Sequence, residues 1–300
     1  VTLAKIAAMP ASPSSSAQAA RQRLGGRLRQ MRVDRGITGV RFAAEAGWRD
    51  SSLVSMIERG RRTISADHVR LWCRICGASP RLTAELLAEQ AAVAGMWVTY
   101  REANRGGLRL VQESVRDDYQ RVRVHRVYQT KVIPGLLQTR AITTAYLEQA
   151  RREQHLELDD VAEAVEERMR RQACLRRPDA RWLFVVEEAV LRFRPAPVEI
   201  HADQLRHLLA MMSWPTVVFG VIPQDADRVG VCPEESFSAF DSRMVSVELV
   251  SGYLTVTQPY EIRMYMEAWE RLFGLAVVGT RASALIMAAL QALDPQGGVE

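Results

Sequence analysis

Between residues 20 and 95, a glycine closes each stretch of apolar residues at helical spacing: Gly36, Gly47, Gly60, Gly77 and Gly95. This punctuation restricts the segment to short helices, because a glycine just past the last turn takes up the conformation that ends a helix. The first helix is expected over residues 20–35, with Leu24, Leu28 and Met31 as its apolar stripe and Arg23, Arg27, Arg29 and Arg32 on its other faces. Thr38 is placed to cap a second helix, with Val40, Ala43 and Ala44 turned inward. Asp50 or Ser51 opens a third helix, Ser65 a fourth, and Ser79-Pro80 a fifth with proline at its first turn. Five short helices with tight joints predict a compact bundle.

Charge marks the same segment. Residues 1–80 carry 13 Arg and Lys5 against Asp34, Glu45, Asp50, Glu58 and Asp67, a net +9, while the whole chain is +5. The remaining 220 residues are therefore mildly acidic. A preference for arginine (38 Arg, 2 Lys) explains the residue type but not its concentration in one quarter of the chain. Such clustering is the footprint of a polyanion binder.

The third helix has two faces. Val54 and Ile57 point one way, into the bundle; Ser52, Ser55, Met56 and Arg59 follow helical spacing on another, with Ser51 at its edge. "LGGRLRQMRVDRGIT", "VRFAAEAGW" and "SSLVSMIERGRR", in that order over residues 24–62, resemble the xenobiotic-response-element (phage-repressor-like) helix-turn-helix family. The resemblance implies that the second and third helices form the motif and that the third lies in the major groove of double-stranded DNA. It also implies a salt bridge between Arg32 and Glu58, tying the first helix to the third. Ser51, Ser52, Ser55 and Met56 then face bases, and Arg41, Arg49, Arg59, Arg61 and Arg62 face phosphates. Serine and methionine lack the bidentate pairing of Arg, Asn or Gln. Gly39 stands where the family usually has glutamine, and "GWRD" lengthens the turn by one residue. Specificity is accordingly expected to lean on DNA shape, dimer spacing or Arg49.

From residue 96 the pattern changes. A helix is expected over 111–127, then Pro134-Gly135 and a helix bearing Leu137, Ala141, Ala145 and Leu147, then a charged helix over 159–175. "RWLFVVEE", "PTVVFGVIP", "ESFSAFD", "MVSVELV" and "YLTVTQP" read as strands, the last two as a hairpin around Ser251-Gly252. "HADQLRHLLAMM" and the segments 261–275 and 281–293 read as helices. The fold class is mainly α: an N-terminal five-helix bundle followed by an α+β domain without a regular βαβ repeat. "VIPGLLQT", "RMRRQACL", "VVEEAVLR", "QLRHLL" and "FGVIP" resemble the DUF5753 domain over roughly residues 96–290. That resemblance implies a transcriptional regulator and a small acidic partner protein of the DUF397 type. The expected division is a disordered leader (1–19), a DNA-binding domain (20–95), a sensing or partner-binding domain (96–293) and a tail (294–300).

Catalytic and metal signals are absent from the sequence. No P-loop, G-x-S-x-G or H-E-x-x-H occurs, so no enzyme is expected. His201 and His207 are six apart and share no helical face. Glu187 and Glu188 are adjacent and point to opposite faces of a strand. Cys73 and Cys76 form a C-x-x-C inside a helix, with Cys174 and Cys232 far off, which reads as small buried residues and not as a zinc site. No metal and no cofactor are expected. Trp182, Phe184, Phe193, Trp214 and Phe219 are core candidates. With no apolar run of about 18 residues and no export signal, the chain is expected in the cytoplasm, off the membrane. The expected function is a homodimeric, sequence-specific transcriptional regulator with a small-molecule effector or a protein partner. The rival reading is an antitoxin-like protein that sequesters the DUF397-type partner and autoregulates through DNA.

Overall fold

A computed structural model describes residues 15–293. Contacts divide the chain into two units: one of residues 1–98 with 254–258, the other of residues 99–253 with 259–300. The tail at 294–300 and the leader up to residue 14 lie outside the described residues. The rest of the expected leader is not disordered. The first helix, α1, runs Ser15–Asp34, and Ala17 and Ala20 are buried on it.

In the first unit α1 is followed by α2 (Gly39–Glu45), α3 (Ser52–Glu58), α4 (Ala66–Ile75) and α5 (Pro80–Gly95). Thr38, Ser65 and Ser79 cap α2, α4 and α5, each accepting a backbone N–H with its hydroxyl oxygen. Leu24, Leu28, Phe42, Val54, Ile57, Val69, Trp72 and Leu86 form the core. The Trp72 indole N–H donates to the Leu28 carbonyl at 3.0 Å, so its one polar atom is satisfied inside that core. Phe42 and Ala43 are the buried residues of α2, whereas Val40 is 71% exposed and Ala44 is exposed as well. The expected inward set was shifted because Phe42, larger than either alanine, claims the core. Cys73 and Cys76 are buried in the core, and burial pushes the Cys76 thiol up to about 11. A short strand, β1 (Trp97–Thr99), ends the run, and the Thr255 N–H donates to the Met96 carbonyl.

The second unit is α+β. After β1 come α6 (Tyr100–Ala103), α7 (Leu108–Ser114), α8 (Arg116–Arg121), β2 (Val124–Gln129), α9 (Arg140–Glu153), α10 (Val161–Arg171), β3 (Arg181–Glu187), α11 (Glu188–Arg192), α12 (Val198–Met211), β4 (Val217–Ile222), β5 (Phe237–Phe240), β6 (Met244–Leu249), β7 (Gly252–Val256), α13 (Pro259–Leu275), β8 (Val277–Val278) and α14 (Thr280–Gln291). The strands that lie wholly in this unit are ordered β6-β5-β2-β3-β4-β8, while the last three residues of β7 fall among the residues grouped with the first unit. β2, β3 and β4 are parallel, in register His125↔Trp182↔Val217, while β5 and β8 join antiparallel. Trp182, Phe184, Phe219, Leu205 and Ile286 belong to one apolar core with the sheet residues. The helix expected over 111–127 divides: helical structure stops at Arg121, and residues 124–129 are a strand. The valines and Tyr128 there fill a central strand flanked on both edges. Phe193 is 53% exposed, because it follows the last turn of α11 and leaves the core. Among the described residues, no helix is long and apolar enough to cross a membrane.

Candidate nucleic-acid interface and ligand cleft

The geometry around α3 starts with how it is held. The Arg32 guanidinium donates Nε to Glu58 Oε1 at 2.6 Å and Nη2 to Oε2 at 2.9 Å, and its Nη1 donates to the Ile37 carbonyl at 2.6 Å. Both side chains are about nine-tenths buried (11% and 8% exposed), so this fork ties α1 to the end of α3 away from water. Gly25 completes the fit: a Cβ there would lie 2.4 Å from the Ile57 carbonyl oxygen. Gly60, with φ +67°, passes so close to α1 that a Cβ would lie 2.7 Å from the Gln22 nitrogen.

The lengthened turn before α3 is anchored, not loose. Gly47 ends α2 with φ +67°, and the Trp48 N–H closes back on the Ala43 carbonyl at 2.8 Å. The Trp48 ring then packs edge-on to Phe42 (5.8 Å) and Trp72 (5.9 Å) and against His68 (5.0 Å). Asp50 Oδ1 accepts the Ser52 N–H at 2.7 Å and so does the capping, since the Ser51 side chain makes no cap bond.

With α3 held by Val54, Ile57 and Glu58, and Leu53 packed against the core as well, Ser52, Ser55 and Met56 are left on the outward side. Ser52 and Arg59 are exposed; Ser51, Ser55 and Met56 are partly so. Arg59 lies back along the helix, donating to the Ser55 hydroxyl and, at 3.2 Å, to the Ser55 carbonyl. Arg41 is paired along α2 with Glu45 at 2.8 Å. Arg49, Arg61 and Arg62 are exposed; the backbone N–H groups of Arg61 and Arg62 donate to the Met56 carbonyl, but none of the three guanidiniums has a partner among the described residues. The five arginines are thus not equivalent: three present free guanidiniums and two are already engaged within their own helices.

The second unit holds a cleft of about 1530 Å³. Three sequence stretches far apart in the chain reach it. Residues 132–139 contribute Val132, Gly135, Leu136 and Gln138, while Ile133 and Leu137 go into the core. From α10 come Arg168 and Arg171, and from the β3–α11 junction Glu187, Glu188 and Arg192. Glu187 and Glu188 both reach the cleft because the strand stops at the first and a helical turn begins at the second, which cancels the expected alternation. Both are engaged. Glu187 accepts the Tyr128 hydroxyl at 2.6 Å and pairs with Arg228, while Glu188 accepts from Arg192 at 3.0 Å and from the Gln224 N–H at 3.0 Å.

Arg168 and Arg171 are held by neutral acceptors. Gln112, on α7, offers one carboxamide oxygen to both: to Arg168 Nε at 3.0 Å and to Arg171 Nη2 at 2.9 Å. Its backbone carbonyl takes Arg171 Nη1 at 3.0 Å. Gln138 Oε1 accepts from Arg168 Nη1 at 3.1 Å, and the Arg171 guanidinium lies 5.0 Å from the Tyr119 ring centroid. Burial, with Arg171 alongside, pushes Arg168 down to about 10. His201 and His207 lie elsewhere on α12; His201 is fully buried with Nε2 on the Leu191 carbonyl at 2.9 Å. The sequence reading did not single out Gln112, Tyr119, Arg168 and Arg171 as site residues. A double arginine at the end of a helix otherwise reads as a favourable match to the helix dipole.

A basic helical bundle whose short third helix is fitted against the first by two glycines, in one chain with a clefted α+β unit, has the build of a helix-turn-helix protein. Residues 23–86 match a helix-turn-helix domain, and residues 119–288 match the family described as a domain of unknown function (DUF5753). The second match takes in more than half of the chain, which therefore belongs to the DUF5753 family. No curated protein matches the chain. The helix-turn-helix match supports a DNA-binding regulator.

Proposed function

We propose that the chain is a cytoplasmic, homodimeric transcriptional regulator, without catalytic activity, whose second unit binds an effector in its cleft. The observation that carries the effector reading is the convergence of residues 132–139, 168–171 and 187–192 on that one cleft. Separate segments of a chain meet in a large concave site where a ligand is to be enclosed. For DNA, α3 enters the major groove with Ser51, Ser52, Ser55 and Met56 toward the bases. Arg49, Arg61 and Arg62 bind phosphates, joined by Arg59 and Arg41 once these leave their intrahelical partners. Pairing of two such helices on a pseudo-palindrome calls for two chains.

The test is binding of the full chain to DNA from upstream of its own gene across a salt series. Arg61→Ala and Arg62→Ala are each expected to weaken binding to all sequences alike and to lower the salt slope by about 1. Because Ser55 holds Arg59, Ser55→Ala and Arg59→Ala are expected to be non-additive when combined. Wild-type binding that does not respond to salt overturns the reading.

A further inference from the structure

The geometry points to Arg168 and Arg171 as the seat of an anionic ligand in the second unit's cleft: a small organic molecule bound through a carboxylate or phosphate. This deepens the effector reading and rests on it.

Charge in the cleft is compensated unevenly. Two other arginines of the cleft, Arg192 and Arg228, are each paired with a carboxylate, Glu188 and Glu187. Arg168 and Arg171 are not; among the described residues no carboxylate lies within ion-pair distance of either. Glu248, which also lines the cleft, is exposed, stands outside ion-pair distance and accepts the Tyr100 hydroxyl at 2.8 Å. Both guanidiniums instead share the single carboxamide oxygen of Gln112, which is 6% exposed. A neutral acceptor orients a guanidinium but leaves its charge in place, and two like charges held side by side in a partly buried site repel. The held atoms also leave others open. Among the described residues, Arg168 Nη2 takes no partner, and Arg171 Nε is buried with none. A carboxylate or phosphate supplies the charge and the paired acceptor oxygens that two adjacent guanidiniums take up. Gly135 leaves room beside them, since a Cβ there would stand 3.8 Å from Arg168 Nη1.

The experiment uses the full chain and three ring compounds of like size: benzoate, phenyl phosphate and neutral benzamide, with binding followed by ligand-observed NMR at fixed ionic strength. Benzoate or phenyl phosphate is expected to bind, and their ranking separates a carboxylate from a phosphate site. Benzamide is expected to bind at least about tenfold more weakly. Arg168→Gln and Arg171→Gln are each expected to weaken the preferred anion by about tenfold or more, with Arg168→Lys retaining part of the affinity because it keeps the charge. Arg206→Gln, an exposed change outside the cleft, is expected to leave binding alone. A thermal unfolding curve for each variant separates lost binding from lost folding. Failure of both anions to bind, or equal affinity in the Gln variants, overturns the proposal. Equal binding of benzamide overturns the anion site but leaves the effector reading standing. An anion that binds at Arg168 and Arg171 without changing DNA affinity overturns the effector reading and leaves the anion site intact.

Discussion

His125 shows how one side chain is set by its neighbours. It lies on β2, 1% exposed, with the rings of Phe240 (4.4 Å), Tyr119 (5.3 Å) and Trp182 (5.6 Å) around it. Its Nδ1–H donates to the Ala239 carbonyl at 3.2 Å, which fixes a neutral tautomer across the β2–β5 pair. Burial drives its pKa from the ordinary 6.5 down to about 3. At pH 7 folded and unfolded chains both hold the ring neutral, so the site has no pH-linked cost. As pH falls below about 6.5, the unfolded chain takes up a proton that the folded chain refuses until about pH 3, and stability drops throughout that interval. Urea unfolding at pH 7 and pH 5 is expected to show a loss of about 2 kcal/mol from this group. His125→Phe is expected to remove that share; an unchanged pH response in the variant refutes the assignment. The sequence carried no sign of this residue's role, because a histidine reads alike in a strand and in the helix expected there.

At the scale of elements, the first unit was the most legible part of the chain. Helix ends there are written locally: Thr38, Ser65 and Ser79 cap, and glycines close. What local signals missed was which face of α2 wins the core, since Phe42 displaces the alanine pattern by size. The lengthened turn was visible, but its anchoring by Trp48 was not, because the rings it meets come from α2 and α4. The tie between α1 and α3 rests on the Arg32–Glu58 fork. Glu58→Ala leaves the Arg32 charge buried beside α3 and is expected to cost about 3 kcal/mol, seen as a lower first-unit transition in calorimetry. Replacing both together, Arg32→Met with Glu58→Leu, is expected to recover much of that loss; a double variant as unstable as the single one contradicts this account. In the second unit, the strands β3, β4, β6 and β7 were readable from runs of β-branched and aromatic residues. β2 was not, because "VRVHRVYQ" follows a helical stretch without a break residue between them.

At the scale of the molecule, sequence patterns gave the α+β class of the second unit but not its parallel β2-β3-β4 centre or its cleft. Both depend on contacts between segments some 30 to 60 residues apart, which no local window records. The proposed dimer is expected to place two 33.7 kDa chains on each operator site, which native mass spectrometry or sedimentation will count. One chain per site at saturating protein refutes the dimer. The residues that fasten α3 (Val54, Ile57, Glu58, with Gly25 and Gly60 beneath) are not those it turns outward (Ser51, Ser52, Ser55, Met56). Holding and displaying are assigned to separate codons. The displayed set is therefore free to drift, or to be rewritten by design, while the mount stays as it is: a vocabulary that can change without touching the grammar.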